Sequence, residues 1–203
     1  MPNCETSRPL RAAIVRSKVF VRCRKGIAAV EFAMIAPIML TMFIGVTELA
    51  QAITAERRMS QVMASIADIV ARQQTVSTNL LVGYMNIVTP IMTPYPTSEL
   101  RMTIASVYAP SAAPTTNLVC WSYQHNTGAV AISSGAASTI PIPADLLAGG
   151  GSSVVAVEIS YEYTPVIAFV KTFLINNQYR ARFYLKPRGA SIIQKTDPTT
   201  TCN

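Results

Sequence analysis

The stretch from Ile27 to Val46 constrains this chain most. It is 20 residues long and carries one charge, Glu31. About 20 apolar residues are enough to cross the hydrocarbon core of a bilayer as a helix, with every backbone polar group satisfied internally. A carboxylate inside such a run is costly, so Glu31 calls for a functional partner. Pro37 lies ten residues into the run, and membrane helices tolerate such a proline. Near the outer end, Glu48 is expected to snorkel to the headgroups.

Charge is placed around this run, not on a binding face. The chain has 203 residues and a formal net charge of +7. Residues 1–26 hold Arg8, Arg11, Arg16, Lys18, Arg22, Arg24 and Lys25 against Glu5, six of the seven excess charges. Ten basic and nine acidic residues follow. No basic stripe is left for phosphates, so nucleic acid is not an expected partner. A basic segment directly before the span keeps the N-terminus in the cytoplasm, and the chain beyond residue 53 outside.

Four cysteines divide the same way. Cys4 and Cys23 fall on the reducing side. Cys120 and Cys202 fall where disulfides persist, and two cysteines permit one pairing, Cys120–Cys202. No cysteine pair has zinc-ligand spacing, and His125 is the single histidine, so neither metal nor cofactor is expected.

Beyond the span, Met59, Val62, Met63, Ile66, Ile69 and Val70 follow helical spacing, and the helix is predicted to continue to Gln74. Ser77 or Thr78 is predicted to cap a short helix through Val88. Pro90, Pro94 and Pro96 read as a linker. The period then changes to two. Leu100–Ala105, Leu118–Gln124, Val155–Tyr163 and Tyr179–Lys186 each read as a strand with one buried face, and Trp121 reads as core. The acidic outer face of the third, Glu158 and Glu162, suits the basic outer face of the fourth, as solvated ion pairs.

No catalytic residues emerge. Gly149-Gly150-Gly151 lacks a following Lys-Ser/Thr and precedes a strand, so it is no phosphate loop. His125 has no Ser or Cys partner and reads as a surface or loop residue. An enzyme is not expected.

The basic residues, Gly26, and Glu31-Phe32 inside an apolar helix resemble a type IV prepilin cleavage site. The run Ala29-Val30-Glu31-Phe32-Ala33 with Ala36-Pro37 resembles the TadE-like minor pilins, or pseudopilins, of tight-adherence (Tad, or Flp) pili more closely. TadG-like relatives share the pattern but are usually larger. The resemblance implies a prepilin peptidase cutting between Gly26 and Ile27, and Glu31 with Phe32 in subunit assembly. It implies other pilin subunits, the inner membrane and the Tad assembly platform as partners. The bland alternative for Glu31 is a carboxylate that snorkels towards Lys25.

The expected fold is α+β: a long N-terminal helix, transmembrane then amphipathic, and a pilin-like, mostly antiparallel sheet of three to five strands. The expected divisions are a cytoplasmic leader at 1–26, the span at 27–52, a helical stalk and linker at 53–96 and an extracytoplasmic β-rich domain at 97–203. Two other readings stand beside the minor pilin. One is an uncleaved, single-pass periplasmic binding or adhesion module. The other is a secreted domain released by signal peptidase after Ala50-Gln51-Ala52.

Overall fold

The computed structural model describes residues 27–110, 117–147, 150–165, 178–200 and Cys202. The basic leader and Gly26 lie outside the described residues. Two compact units divide the chain between Thr47 and Glu48.

Helix α1 (Ile27–Ala71) is continuous through Pro37. Its first 21 residues contribute no buried residue. From Glu48 the pattern changes: Glu48, Ala52, Ala55, Met59, Val62, Ile66 and Val70 are all buried. Steps of three and four residues keep these on one face. The helix stops three residues before the expected Gln74. Its last carbonyls explain why: the Arg188 and Gly189 amides donate to Ala71 O at 2.7 and 3.4 Å. A Cβ at Gly189 would lie 2.6 Å from Arg72 O, so the approach requires glycine. Asp68 adds ion pairs to Arg72 and Arg188, at 2.5 and 3.4 Å.

Strand β1 (Thr75–Val76) follows, then α2 (Thr78–Met85) and α3 (Val88–Met92). Ser77 is the cap of α2, its hydroxyl accepting from Leu80 N at 3.2 Å. The expected linker is partly helical. Pro90 sits in the first turn of α3, where its missing N–H has no partner to lose. The helix expected to run to Val88 is two short ones.

Four strands form the main sheet: β2 (Leu100–Tyr108), β3 (Leu118–His125), β4 (Ser153–Glu162) and β5 (Gln178–Leu185), in the order β3-β2-β4-β5, all antiparallel. The architecture is the α+β one expected. A smaller sheet joins β1 to β6 (Gln194–Thr196) in parallel and β6 to β7 (Thr199–Thr200) antiparallel.

The expectation of one buried face per strand is wrong for β2 and β4. Met102, Ile104, Trp121, Val157 and Ile159 pack with the buried residues of α1, α2 and α3. Ala105, Val107, Val119, Val154 and Ala156 face away and are also buried, under Ile132, Ile140 and Leu147. The covering segment is fastened by sheet hydroxyls. Thr103 donates to Val130 O at 3.0 Å and Ser122 to Ile132 O at 2.6 Å. Glu158 is therefore not a solvated residue: its side chain is 7% exposed. The expected strand pairing holds, with Glu158 opposite Arg182 in register. His125 is the last residue of β3 and half-buried, not a loop residue.

Candidate functional site: the apolar helix and its junction

The exposed part of α1 carries the sequence-predicted assembly residues. Ile27 opens the helix and Glu31 follows at i+4, so the two lie on one face, a turn apart. Both are exposed, as is Phe32. Val30, Met34, Ile38, Met39, Met42, Phe43 and Val46 are each more than 60% exposed. A continuous exposed apolar surface of this kind is rare on a soluble monomer and marks contact with lipid or protein. By length and composition α1 can cross a membrane once.

The polar side chains on this part serve the helix itself. The Thr41 hydroxyl donates to Ile38 O at 2.9 Å, and the Thr47 hydroxyl to Ile44 O at 2.8 Å. Neither hydroxyl then presents an unpaired donor to an apolar medium.

Glu48 behaves unlike the expected snorkelling carboxylate. It is 6% exposed, and the Tyr163 hydroxyl donates to its Oε2 at 3.1 Å. Burial and then the carboxylate beside it push the Tyr163 phenol well above its ordinary value, since both disfavour a phenolate. Around this pair stand Tyr95 and Tyr179, their ring centroids 6.4 and 6.5 Å from that of Tyr163. Tyr95 reaches back to α1, its hydroxyl 2.7 Å from Gln51 Oε1 and 3.0 Å from Gln51 O. Arg58 lies over the Tyr95 ring, 5.9 Å from its centroid, and donates to the Ile91 and Thr93 carbonyls. This junction is absent from the expectations above, although two sequence signals point to it. Glu48 extends the buried stripe by one step of four, and Tyr163 continues the alternation of β4.

Farther along the chain, Cys120 of β3 and Cys202 are joined in a disulfide, their Cα atoms 5.7 Å apart. Next to it the Trp121 indole donates to Ile193 O at 2.7 Å. These two bonds hold the C-terminal segment against the sheet.

Away from the helix and this junction, the charged residues of the sheet pair with one another. Glu158 is engaged by Arg180 and Arg182, each through Nε, at 2.8 and 2.9 Å. Among the described residues no three His, Cys, Asp or Glu side chains gather as metal ligands do.

Neither curated proteins nor solved structures give a match to this chain. Residues 26–68 do match the model of one family, described as TadE-like protein. The match covers the exposed helix, Glu31, Phe32 and the first part of the buried stripe. Residues 26–68, which include Glu31-Phe32 and Ala36-Pro37, are thus similar to the TadE-like family.

Proposed function

We propose that this protein is a minor pilin or pseudopilin of a Tad (Flp)-type pilus, serving pilus assembly and through it surface attachment. In this reading a prepilin peptidase removes residues 1–26 at the cytoplasmic face of the inner membrane. The Tad platform then brings the anchored subunit together with other pilin subunits, the β domain lying on the periplasmic side. Glu31 of one subunit neutralises the new Ile27 amine of a neighbour. The pair compensates two charges in an apolar bundle and sets subunit register.

The observation that carries the proposal is the exposure of the TadE-like helix. Large apolar side chains cover residues 27–47 on all sides. That surface suits lipid before assembly and neighbouring helices after it. A released secreted domain is disfavoured by the junction. A cut after Ala52 would sever a continuous helix and remove Glu48 from Tyr163 and Gln51 from Tyr95.

N-terminal sequencing of the membrane-extracted protein tests the proposal. The expected mature residue is Ile27, and Gly26→Val should accumulate full-length precursor. A wild-type chain beginning at Met1 identifies an uncleaved anchor. One beginning at Ile53 identifies a released domain. Either result sinks the prepilin reading.

A further inference from the structure

The outer face of the main sheet has two halves. One is apolar and covered. The other is polar and carries a cleft of about 350 Å³. Strand register builds its walls. Arg101 of β2 pairs with Ser160 of β4, and Ser160 pairs with Arg180 of β5, so the three form one cross-strand row. The adjacent row is Thr103, Glu158 and Arg182. Neighbouring strands are about 4.8 Å apart, so the stems of Arg101 and Arg180 stand about 10 Å apart, with the Ser160 hydroxyl between them. The turn after β3 closes one side. A Cβ at Gly128 would lie 3.2 Å from Arg101 Nε and 3.3 Å from Arg101 Cδ, so the arginine lies close against the glycine.

Charge makes the cleft selective. Of the cleft's lining residues, Arg180 is balanced by Glu158, whose carboxylate also receives Nε of Arg182 outside the cleft. Arg101 then leaves the cleft one net positive charge, because among the described residues it makes no ion pair. Glu162, the next carboxylate along this face, stands opposite Gln178 and does not line the cleft. A guanidinium has five N–H donors, so engagement with Glu158 through Nε leaves Arg180 donors to spare. Two guanidinium side chains lining one cleft on either side of a hydroxyl offer the fork donors that a carboxylate or phosphate accepts. Among the described residues, the walls contain no aromatic ring and only Ala129 and Val130 as apolar side chains.

The geometry points to a binding site for a compact oxyanion, carboxylate or phosphate, held between Arg101 and Arg180 above Ser160. The site lies outside the TadE-like stretch and does not depend on the pilin reading.

Calorimetric titration of the full chain in detergent, at low salt, tests it. Inorganic phosphate, malonate and a blocked aspartate peptide serve as separate probes. At least one should bind saturably, with a dissociation constant of about 1 mM or tighter. Phosphate binding would identify a free ion as the source of the oxyanion, and peptide binding a side chain of another polypeptide. Arg101→Gln should weaken the bound probe at least about tenfold, and Arg101→Lys should restore part of the affinity, since it returns charge without the fork. Arg57→Gln, at an exposed position on α1, should change nothing. If Arg101→Gln loses its fold by circular dichroism, Ser160→Ala takes its place and should weaken the probe about threefold or more. Absence of saturable binding by all three probes overturns the proposal. So does undiminished binding in the variant that is folded.

Discussion

Tyr163, directly after β4, and Glu48 of α1 meet across 115 residues of chain, the phenol hydroxyl 3.1 Å from the carboxylate with both groups buried. The contact ties the sheet to the first buried residue of the helix. A hydrogen bond to a charged acceptor contributes about 1.5–3 kcal/mol. Tyr163→Phe should lower stability to urea at pH 7 by that amount, and Glu48→Gln by less, since it keeps an acceptor. The pair adds an alkaline signature. The folded Tyr163 holds its proton above the ordinary tyrosine value, so its contribution is complete below about pH 10 and is lost as pH rises beyond it. Tyr163→Phe should show a shallower alkaline decline than the wild type. Equal stability of the two proteins at pH 7 would remove Glu48 from the domain's energetics.

His125 predicts an acid signature. Burial lowers its pKa, so the unfolded chain takes up this proton first as pH falls. The stabilisation is present above about pH 6.5 and is lost as pH falls below it. His125 is the single histidine in the chain. His125→Gln should flatten urea stability between about pH 6.5 and 5. An unchanged slope would assign the acid sensitivity to carboxylates.

The disulfide closes a long loop, with 82 residues separating Cys120 from Cys202. In the chain-entropy account a loop of this size is stabilised by about 4 kcal/mol. Replacing both cysteines by alanine should lower stability by about that much and abolish the effect of reductant. Mass mapping of the oxidised protein should recover the two peptides joined. Recovery of both as free thiols rejects the pairing.

In the proposed pilin reading, Glu31 acts in assembly and not in processing. Glu31→Ala should insert at least as well as the wild type, because it removes a costly carboxylate from lipid. Cleavage should stay normal. Pilus assembly should fail, since an unpaired amine at an apolar interface costs several kcal/mol. Glu31→Gln should be intermediate. Cleaved subunit in the membrane and surface pili are counted in the same cells. Normal pili would reduce Glu31 to a snorkelling residue, and blocked cleavage would assign it to peptidase recognition.

The legible features were those set by local period. Met59 to Val70 announced the buried face of α1, and Tyr179 to Lys186 announced a strand. Glu158 found its basic partner strand because alternation places charges in register. The segment around Ile132 and Ile140 was illegible because it covers the sheet without periodicity of its own, so the second buried face of β2 and β4 left no signal. Glu48 was misread for a related reason: whether a carboxylate at the end of an apolar run snorkels or is buried depends on a tyrosine in another strand. Strand β1 is two residues long and acquires its identity only from β6. Glu31 and Phe32, the proposed assembly residues, are named by the resemblance to prepilins and not by period. Subunit contacts belong to an assembly that no single chain encodes by period.

The cap on α1 has a consequence for the order in which the domain becomes whole. Ala71 waits for Arg188 and Gly189, and Thr75 and Val76 wait for Gln194 and Lys195. Pairings this distant in sequence are slow to form, because the intervening chain loses loop entropy before they reward it. A ribosome releases the helix long before the segment that finishes it. The growing chain therefore carries an open helix end and an unpaired β1 until Arg188, Gly189, Gln194 and Lys195 have been made.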